Sequence, residues 1–306
     1  MSTNANPNTN VIEIDQVSRY YGEVLAVDNI SFNIERGETL GLIGHNGAGK
    51  STLFKMMLGL IPVSAGNIRI NNTLLHGIAF RELRRGIGYL PENVVFYDNL
   101  TGLETLQFFA SLKGCAATEC LPLLDKVGLN HAANRLVSGY SKGMRQRLGF
   151  AQALLGKPKI LFLDEPTNGL DPEAIREFYQ ILQHLNQQGV TVIITSHILS
   201  EIQQRVQRLA VMRNGKLHAL GTVQSLRESV DLPLVIQLRW HQQINAGEIL
   251  RDIPHEYKLI NHHSSEIQIQ RRWKMELLRR LATQTGIEDV VVHEPTLEDI
   301  FLGYAG

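Results

Sequence analysis

Gly44-His45-Asn46-Gly47-Ala48-Gly49-Lys50-Ser51 follows directly on the apolar run Leu40-Gly41-Leu42-Ile43. A strand, a glycine-rich turn, then a lysine and a hydroxyl is the order that a phosphate-binding loop requires. The glycines let the backbone curl so that its N–H groups converge on phosphate oxygens. Lys50 then reaches the β- and γ-phosphates, and the Ser51 hydroxyl ligates Mg²⁺. The helix expected to open near Ser51-Thr52-Leu53 adds its positive N-terminal end to the same place. The stretch predicts a nucleotide site, with Gly44, Asn46, Gly47, Ala48, Gly49, Lys50, Ser51 and Thr52 around the phosphates.

Working outward, Val11-Ile12-Glu13-Ile14 and Ile30-Ser31-Phe32-Asn33-Ile34 alternate apolar and polar residues as half-buried strands do. Tyr20-Tyr21-Gly22 between them predicts a turn with exposed aromatics. After the loop a helix is expected over Leu53 to Leu60, stopping at Pro62, and a short strand and turn over Asn67–Asn72. From about Glu92 to Leu155 helical patterns dominate and strand signals vanish, which predicts a helical insertion. Strands return as the continuous apolar run Ile160-Leu161-Phe162-Leu163 and as Val190–Thr195, with a helix over Pro172–Gln188 between them and another from Ile198. Asn214-Gly215, flanked by apolar runs, is a hairpin signal. Strands alternating with helices predict an α/β fold with a mostly parallel sheet covered on both faces. Past Gly221 the pattern restarts with strands near 234–238, 266–270 and 289–292, a helix over 275–281, and a terminal helix over 295–302 capped by Thr296. The expected domains are a tail at 1–10, a nucleotide-binding domain over 11–222 with its helical part at about 92–155, and a small α/β domain over 232–306.

Leu161-Phe162-Leu163-Asp164-Glu165 is the second anchor. An apolar strand delivers Asp164 to the sheet edge, where it would hold Mg²⁺ opposite Ser51. Glu165, one residue on, would polarise a water for attack on the γ-phosphate. Alone, two adjacent acids are equally well a solvated turn; paired with the upstream loop they indicate a catalytic role. His197 closes a strand expected to neighbour that of Asp164, which would bring it to the γ-phosphate.

These residues together resemble the nucleotide-binding subunits of ATP-binding cassette transporters. Tyr140-Ser141-Lys142-Gly143-Met144-Arg145-Gln146-Arg147 is similar to that family's signature loop, usually Leu-Ser-Gly-Gly-Gln; Ser141 and Gly143 match, while Tyr140, Lys142 and Met144 depart from it. Glu165-Pro166-Thr167-Asn168-Gly169-Leu170-Asp171-Pro172 resembles the second anchor running into the D-loop. His197 matches the switch histidine, and Tyr21 matches the aromatic that stacks on adenine. The resemblance covers about residues 11–220. It implies an ABC-type P-loop fold, ATP and Mg²⁺ as cofactors, ATP hydrolysis, and a head-to-tail homodimer in which Ser141 and Gly143 face the γ-phosphate bound to the opposite copy. Where the family usually carries a Mg²⁺-sensing Gln, this chain has Glu92, a carboxylate that ligates Mg²⁺ more strongly but repels the γ-phosphate.

The resemblance also implies a transmembrane permease partner and a place on the cytoplasmic face of the inner membrane. Val95, Phe96 and Tyr97 are the residues expected to meet it, either lining a groove for a short coupling helix or filling the core of the helical insertion. A narrower resemblance, carried by Gly44–Lys50 with Gly88–Tyr97, is to the ATPase subunits of transporters that serve maturation of the copper centres of nitrous-oxide reductase. It implies a periplasmic protein as a further partner and copper or a sulfur species as cargo. The alternatives are another exporter ATPase for a drug, lipid or ion, or a soluble ABC ATPase acting on ribosomes or DNA. A P-loop kinase or GTPase is disfavoured by the signature and by the missing Asn-Lys-x-Asp motif.

The bulk numbers agree with this reading. Lys plus Arg and Asp plus Glu are 30 each, so no net charge points to nucleic acid. No run approaches about 18 apolar residues, so membrane spans would have to come from other subunits. The start lacks the basic and apolar regions of a signal peptide. Cys115 and Cys120 are too few and wrongly spaced for a disulfide framework or a zinc ribbon. The C-terminal domain would stabilise the dimer, regulate the cassette or contact a partner, and its composition does not choose among these.

Overall fold

Strands β1 (Asn10–Tyr21) and β2 (Val24–Glu35) form a hairpin that turns at Gly22, φ 58°. They are far longer than the short alternating stretches in the sequence, and β1 begins at Asn10. The reason is a bulge: the register shifts between Ile14 and Val17, and Gln16 sits in the left-handed region at φ 47°. An extra residue there breaks the alternation that marks a strand. The computed structural model of the protein describes residues 10–196, 199–229, 232–241 and 246–295. It divides into two compact units between Gly221 and Thr222.

In the first unit β3 (Thr39–Ile43) is buried at every residue and feeds the phosphate loop into α1 (Lys50–Met57). The helix stops short of the expected Leu60 because Gly59 adopts φ 63° and its N–H closes on the Met56 carbonyl. β4 (Ala65–Ile70) turns through Asn71 and Asn72, both at positive φ, into β5 (Thr73–Leu74). These strands complete an antiparallel sheet of order β2-β1-β4-β5. Next come α2 (Gly77–Arg84), which buries only Phe80, and β6 (Ile87–Leu90). Helices then take over: α3 (Gly102–Lys113), α4 (Cys120–Lys126) and α5 (Lys142–Leu154). The capping box of Thr101 and Glu104 starts α3.

The second half supplies β7 (Ile160–Leu163), α6 (Pro172–Gln187), β8 (Thr191–Thr195), α7 (Leu199–Ile202), β9 (Arg208–Arg213) and β10 (Lys216–Gly221). The main sheet has the order β10-β9-β3-β8-β7-β6. Its strands pair in parallel from β9 to β6, and the antiparallel β9–β10 hairpin turns at Asn214-Gly215. One apolar cluster joins both sheets through α1: Phe54 meets Phe162 edge-on at 5.2 Å and shares the core with Ile12, Ile34 and Ile68. The loop after β3 is thus fixed by a strand buried between neighbours and by a helix locked into the core.

The second unit comprises α8 (Val223–Ser229), β11 (Leu234–Trp240), α9 (Ala246–Ile249), β12 (His255–Asn261), β13 (Ser264–Ile269), α10 (Lys274–Ala282) and β14 (Ile287–His293). Its antiparallel sheet has the order β12-β13-β11-β14. Leu234, Ile236, Leu238, Ile267 and Ile269 form its core with Leu277 and Leu281 of α10. The expected terminal helix, from Thr296 onward, lies outside the described residues. No described helix is long and apolar enough to cross a membrane.

Candidate nucleotide site

The phosphate loop is shaped by close backbone approaches. A Cβ on Gly44 would lie 2.4 Å from the Met212 carbonyl oxygen of β9, and one on Gly49 would lie 2.5 Å from that of Ala26 in β2. Gly49 is also the left-handed residue, φ 97°, that precedes α1. The loop between them leaves His45, Asn46 and Gly47 exposed while Ala48 is buried. Lys50 is the first residue of α1; its ammonium donates to the carbonyl oxygens of Gly44 (2.6 Å) and His45 (3.1 Å). Ser51 is exposed and Thr52 half-buried.

A cleft runs from Tyr21 and Val24 across residues 46–52 to Asn214 and Gly215. Tyr21 is 46% exposed, with the Arg19 guanidinium 4.8 Å from its ring centre. The β9–β10 turn closes the far wall. Gly215 donates its N–H to the Ala48 carbonyl, and its own carbonyl accepts from the Asp28 N–H. The sequence marks Asn214-Gly215 as a hairpin; only the β3–β9 pairing places it beside the phosphate loop.

Asp164 and Glu165 leave the end of β7, between β6 and β8. Asp164 is buried; its N–H donates to the Leu90 carbonyl, and its Oδ1 accepts from the Thr195 hydroxyl at 2.6 Å. Glu165 is half-buried at φ 46°, and its N–H donates to the same hydroxyl at 2.9 Å. Burial pushes the Asp164 carboxyl up. The Thr195 hydrogen bond, Lys55 and Lys50 oppose this, and the Glu92 charge adds to it. Burial pulls the Lys50 ammonium down, while Glu165, Asp164 and Glu92 pull it up. The fold therefore brings Glu92, Asp164 and Glu165 within electrostatic reach of Lys50, with Glu92 exposed just beyond β6. His197 lies outside the described residues.

Ser141 is the N-cap of α5 and accepts the Met144 N–H at 3.2 Å. Gly143 sits in the first turn, where a Cβ would lie 3.0 Å from the Gly169 carbonyl oxygen. Neither lines the cleft around Lys50. The departure at Tyr140 is structural: its hydroxyl donates to the Ala132 carbonyl at 2.7 Å inside the helical insertion. Of the two alternatives open for Phe96, the core of the insertion is the one observed: Phe96 is only 9% exposed and packs against Phe109 at 6.0 Å. Val95 and Tyr97 on either side are 83% and 62% exposed.

Against known proteins, the profile of the ABC transporter family matches residues 27–168. The chain is 35% identical to the bacitracin transport ATP-binding protein BcrA of Bacillus licheniformis, over 97% of each chain. It belongs to the ABC transporter family. The linearmycin resistance ATP-binding protein LnrL of Bacillus subtilis (strain 168) is 30% identical over 97% of this chain and 98% of its own. The dimeric post-hydrolysis structure of the ATP-binding cassette MJ0796, bound to ADP and Pi, superposes with a TM-score of 0.64 at 25% identity. That match covers 69% of this chain and 98% of the other. As an ABC ATPase the chain binds ATP and hydrolyses it to ADP and phosphate.

Proposed function

We propose that this chain is the motor of an ABC exporter, in which two copies close head to tail around ATP and drive a separate membrane permease. The observation that carries it is the separation within one chain: Lys50, Glu92, Asp164 and Glu165 gather at the phosphate loop, whereas Ser141 and Gly143 open α5 outside that cleft. In this reading the Ser141 hydroxyl, the Gly143 N–H and the positive end of α5 face the γ-phosphate held by the opposite copy. Lys50 neutralises phosphate charge, and the Glu165 carboxylate takes the proton of the attacking water. His197 contacts the γ-phosphate, and the Tyr21 ring stacks on adenine. The Asp164 carboxylate and Ser51 hydroxyl are oxygen donors suited to a hard cation, so they would hold Mg²⁺, with Glu92 in reach; when bound, the ion neutralises charge on the phosphates. Hydrolysis removes the charge that bridges the copies, and they part.

The permease would dock on the exposed apolar residues Val95, Tyr97, Phe108 and Leu112 of the helical insertion. That contact would hold the subunit peripherally on the cytoplasmic face of the inner membrane. For the cargo, the likeness at Gly44–Lys50 and Gly88–Tyr97 supports a NosF-type role in a NosDFY transporter, with a periplasmic partner and copper or a sulfur species as cargo. The full-length likeness to BcrA and LnrL supports a drug-type cargo as the second reading. Purification from the native host tests both levels. A membrane permease should co-purify and be lost from the double variant Val95→Asp, Tyr97→Asp. Co-purification with ribosomes or DNA instead would refute the transporter role. Deletion that leaves nitrous-oxide reductase without copper supports the first cargo, and deletion that sensitises cells to a peptide antibiotic supports the second.

A further inference from the structure

Thr195 is the last residue of β8 and is 1% exposed. Because Leu163 pairs with Ile194 in the parallel sheet, Thr195 falls beside the point where Asp164 and Glu165 leave β7. Its hydroxyl has one proton to give and lone pairs to receive, and both are used on the acid pair. The proton goes to Asp164 Oδ1 at 2.6 Å, and the Glu165 N–H comes back at 2.9 Å. The first bond fixes the rotation of the Asp164 carboxylate and engages one of its two oxygens. The second holds the backbone of Glu165 in the left-handed conformation, φ 46°, which brings the Cβ of an L-residue close to the following carbonyl oxygen and is adopted only where the surroundings hold it.

We propose that Thr195 is a positioning residue for ATP hydrolysis, a single hydroxyl that sets the metal-side acid and the water-side acid relative to each other. A methyl in place of the hydroxyl keeps the volume of the side chain and removes both bonds at once. Serine keeps both bonds and loses only a methyl. The inference rests on Asp164 and Glu165 acting on bound nucleotide, so Glu165→Gln is run beside the Thr195 variants.

The full chain is prepared as wild type, Thr195→Val and Thr195→Ser. ATP turnover is measured against ATP concentration, and Mn²⁺ binding is followed by electron paramagnetic resonance with a non-hydrolysable ATP analogue. Thr195→Val should lower kcat roughly tenfold or more, with KM for ATP within about twofold and weaker Mn²⁺ binding. Thr195→Ser should restore kcat to within about threefold of wild type. If Thr195→Val does not fold, Thr195→Ala takes its place in the same comparison. Wild-type kcat in the hydroxyl-free variant, unchanged Mn²⁺ binding, or equal impairment of Thr195→Ser would each overturn the proposal. Turnover by Glu165→Gln at the wild-type rate would overturn the underlying reading of the acid pair instead.

Discussion

Lys50 shows at the scale of one residue how the site is built. Burial alone would drive its ammonium toward neutrality, but Glu165, Asp164 and Glu92 oppose that, and two loop carbonyls receive its protons. A cation anchored in this way is aimed by the loop and not by its own flexible stem. Lys50→Met should therefore leave the apolar cluster around α1 intact and lower phosphate release at least ~100-fold, as expected when a charge that stabilises the transition state is removed. Phosphate release checks the rate, and circular dichroism checks the fold. Lys50, Asp164 and Glu165 were legible in the sequence because their chemistry and their place after apolar strands coincide. Thr195 was not: threonine in a strand satisfies β propensity, and only the parallel register of β7 and β8 reveals its partners.

Among the elements, α5 ties the signature to the acid pair. The Gln146 side chain, buried in its middle, donates to the Pro166 carbonyl at 3.0 Å, one residue past Glu165. Gln146→Leu leaves that carbonyl without its donor. We expect a loss of about 1–3 kcal/mol in stability, read as a lower Tm, together with slower turnover. In the second unit, Glu294 follows β14 and bonds Lys274 (2.9 Å) at the start of α10, with Arg271 at 3.3 Å. The Lys274 hydrogen bond, then the charges of Lys274 and Arg271, hold its carboxyl below the ordinary value against the effect of partial burial. A depressed folded pKa means the contact stabilises above the ordinary carboxylate range and is lost as pH falls through the lowered value. Protection factors of the β14 amides, taken against the intrinsic exchange rate at each pH, should fall on acidification in the wild type, and less so in Glu294→Gln. The buried parallel strands β3, β7 and β8 were readable as uninterrupted apolar runs. β12 was not, because every one of its residues is exposed and its sequence carries no core face. The length of β1 was hidden by its bulge, and α2 by a helix that buries a single side chain.

For the whole molecule, the main sheet brings Lys50, Asp164 and Glu165 to the carboxyl ends of β3 and β7, and the helical insertion carries Ser141 and Gly143 outside that cleft; the proposed function makes these the two halves of one hydrolytic site. The fold class was evident from the alternation of strands and helices. The division of the site was not in the spacing: it came from the resemblance of Ser141–Gly143 to the signature, and the separation of that loop from the Lys50 cleft is a three-dimensional fact. A chain with balanced charge has no strong net self-repulsion opposing closure, and in the proposed account it is the bound nucleotide that holds two copies together. The most direct test is the molar mass of Glu165→Gln by light scattering, with and without Mg²⁺ and ATP. The account predicts a monomer that becomes a stable dimer only with ATP; a variant that binds ATP and remains monomeric at saturation would contradict it.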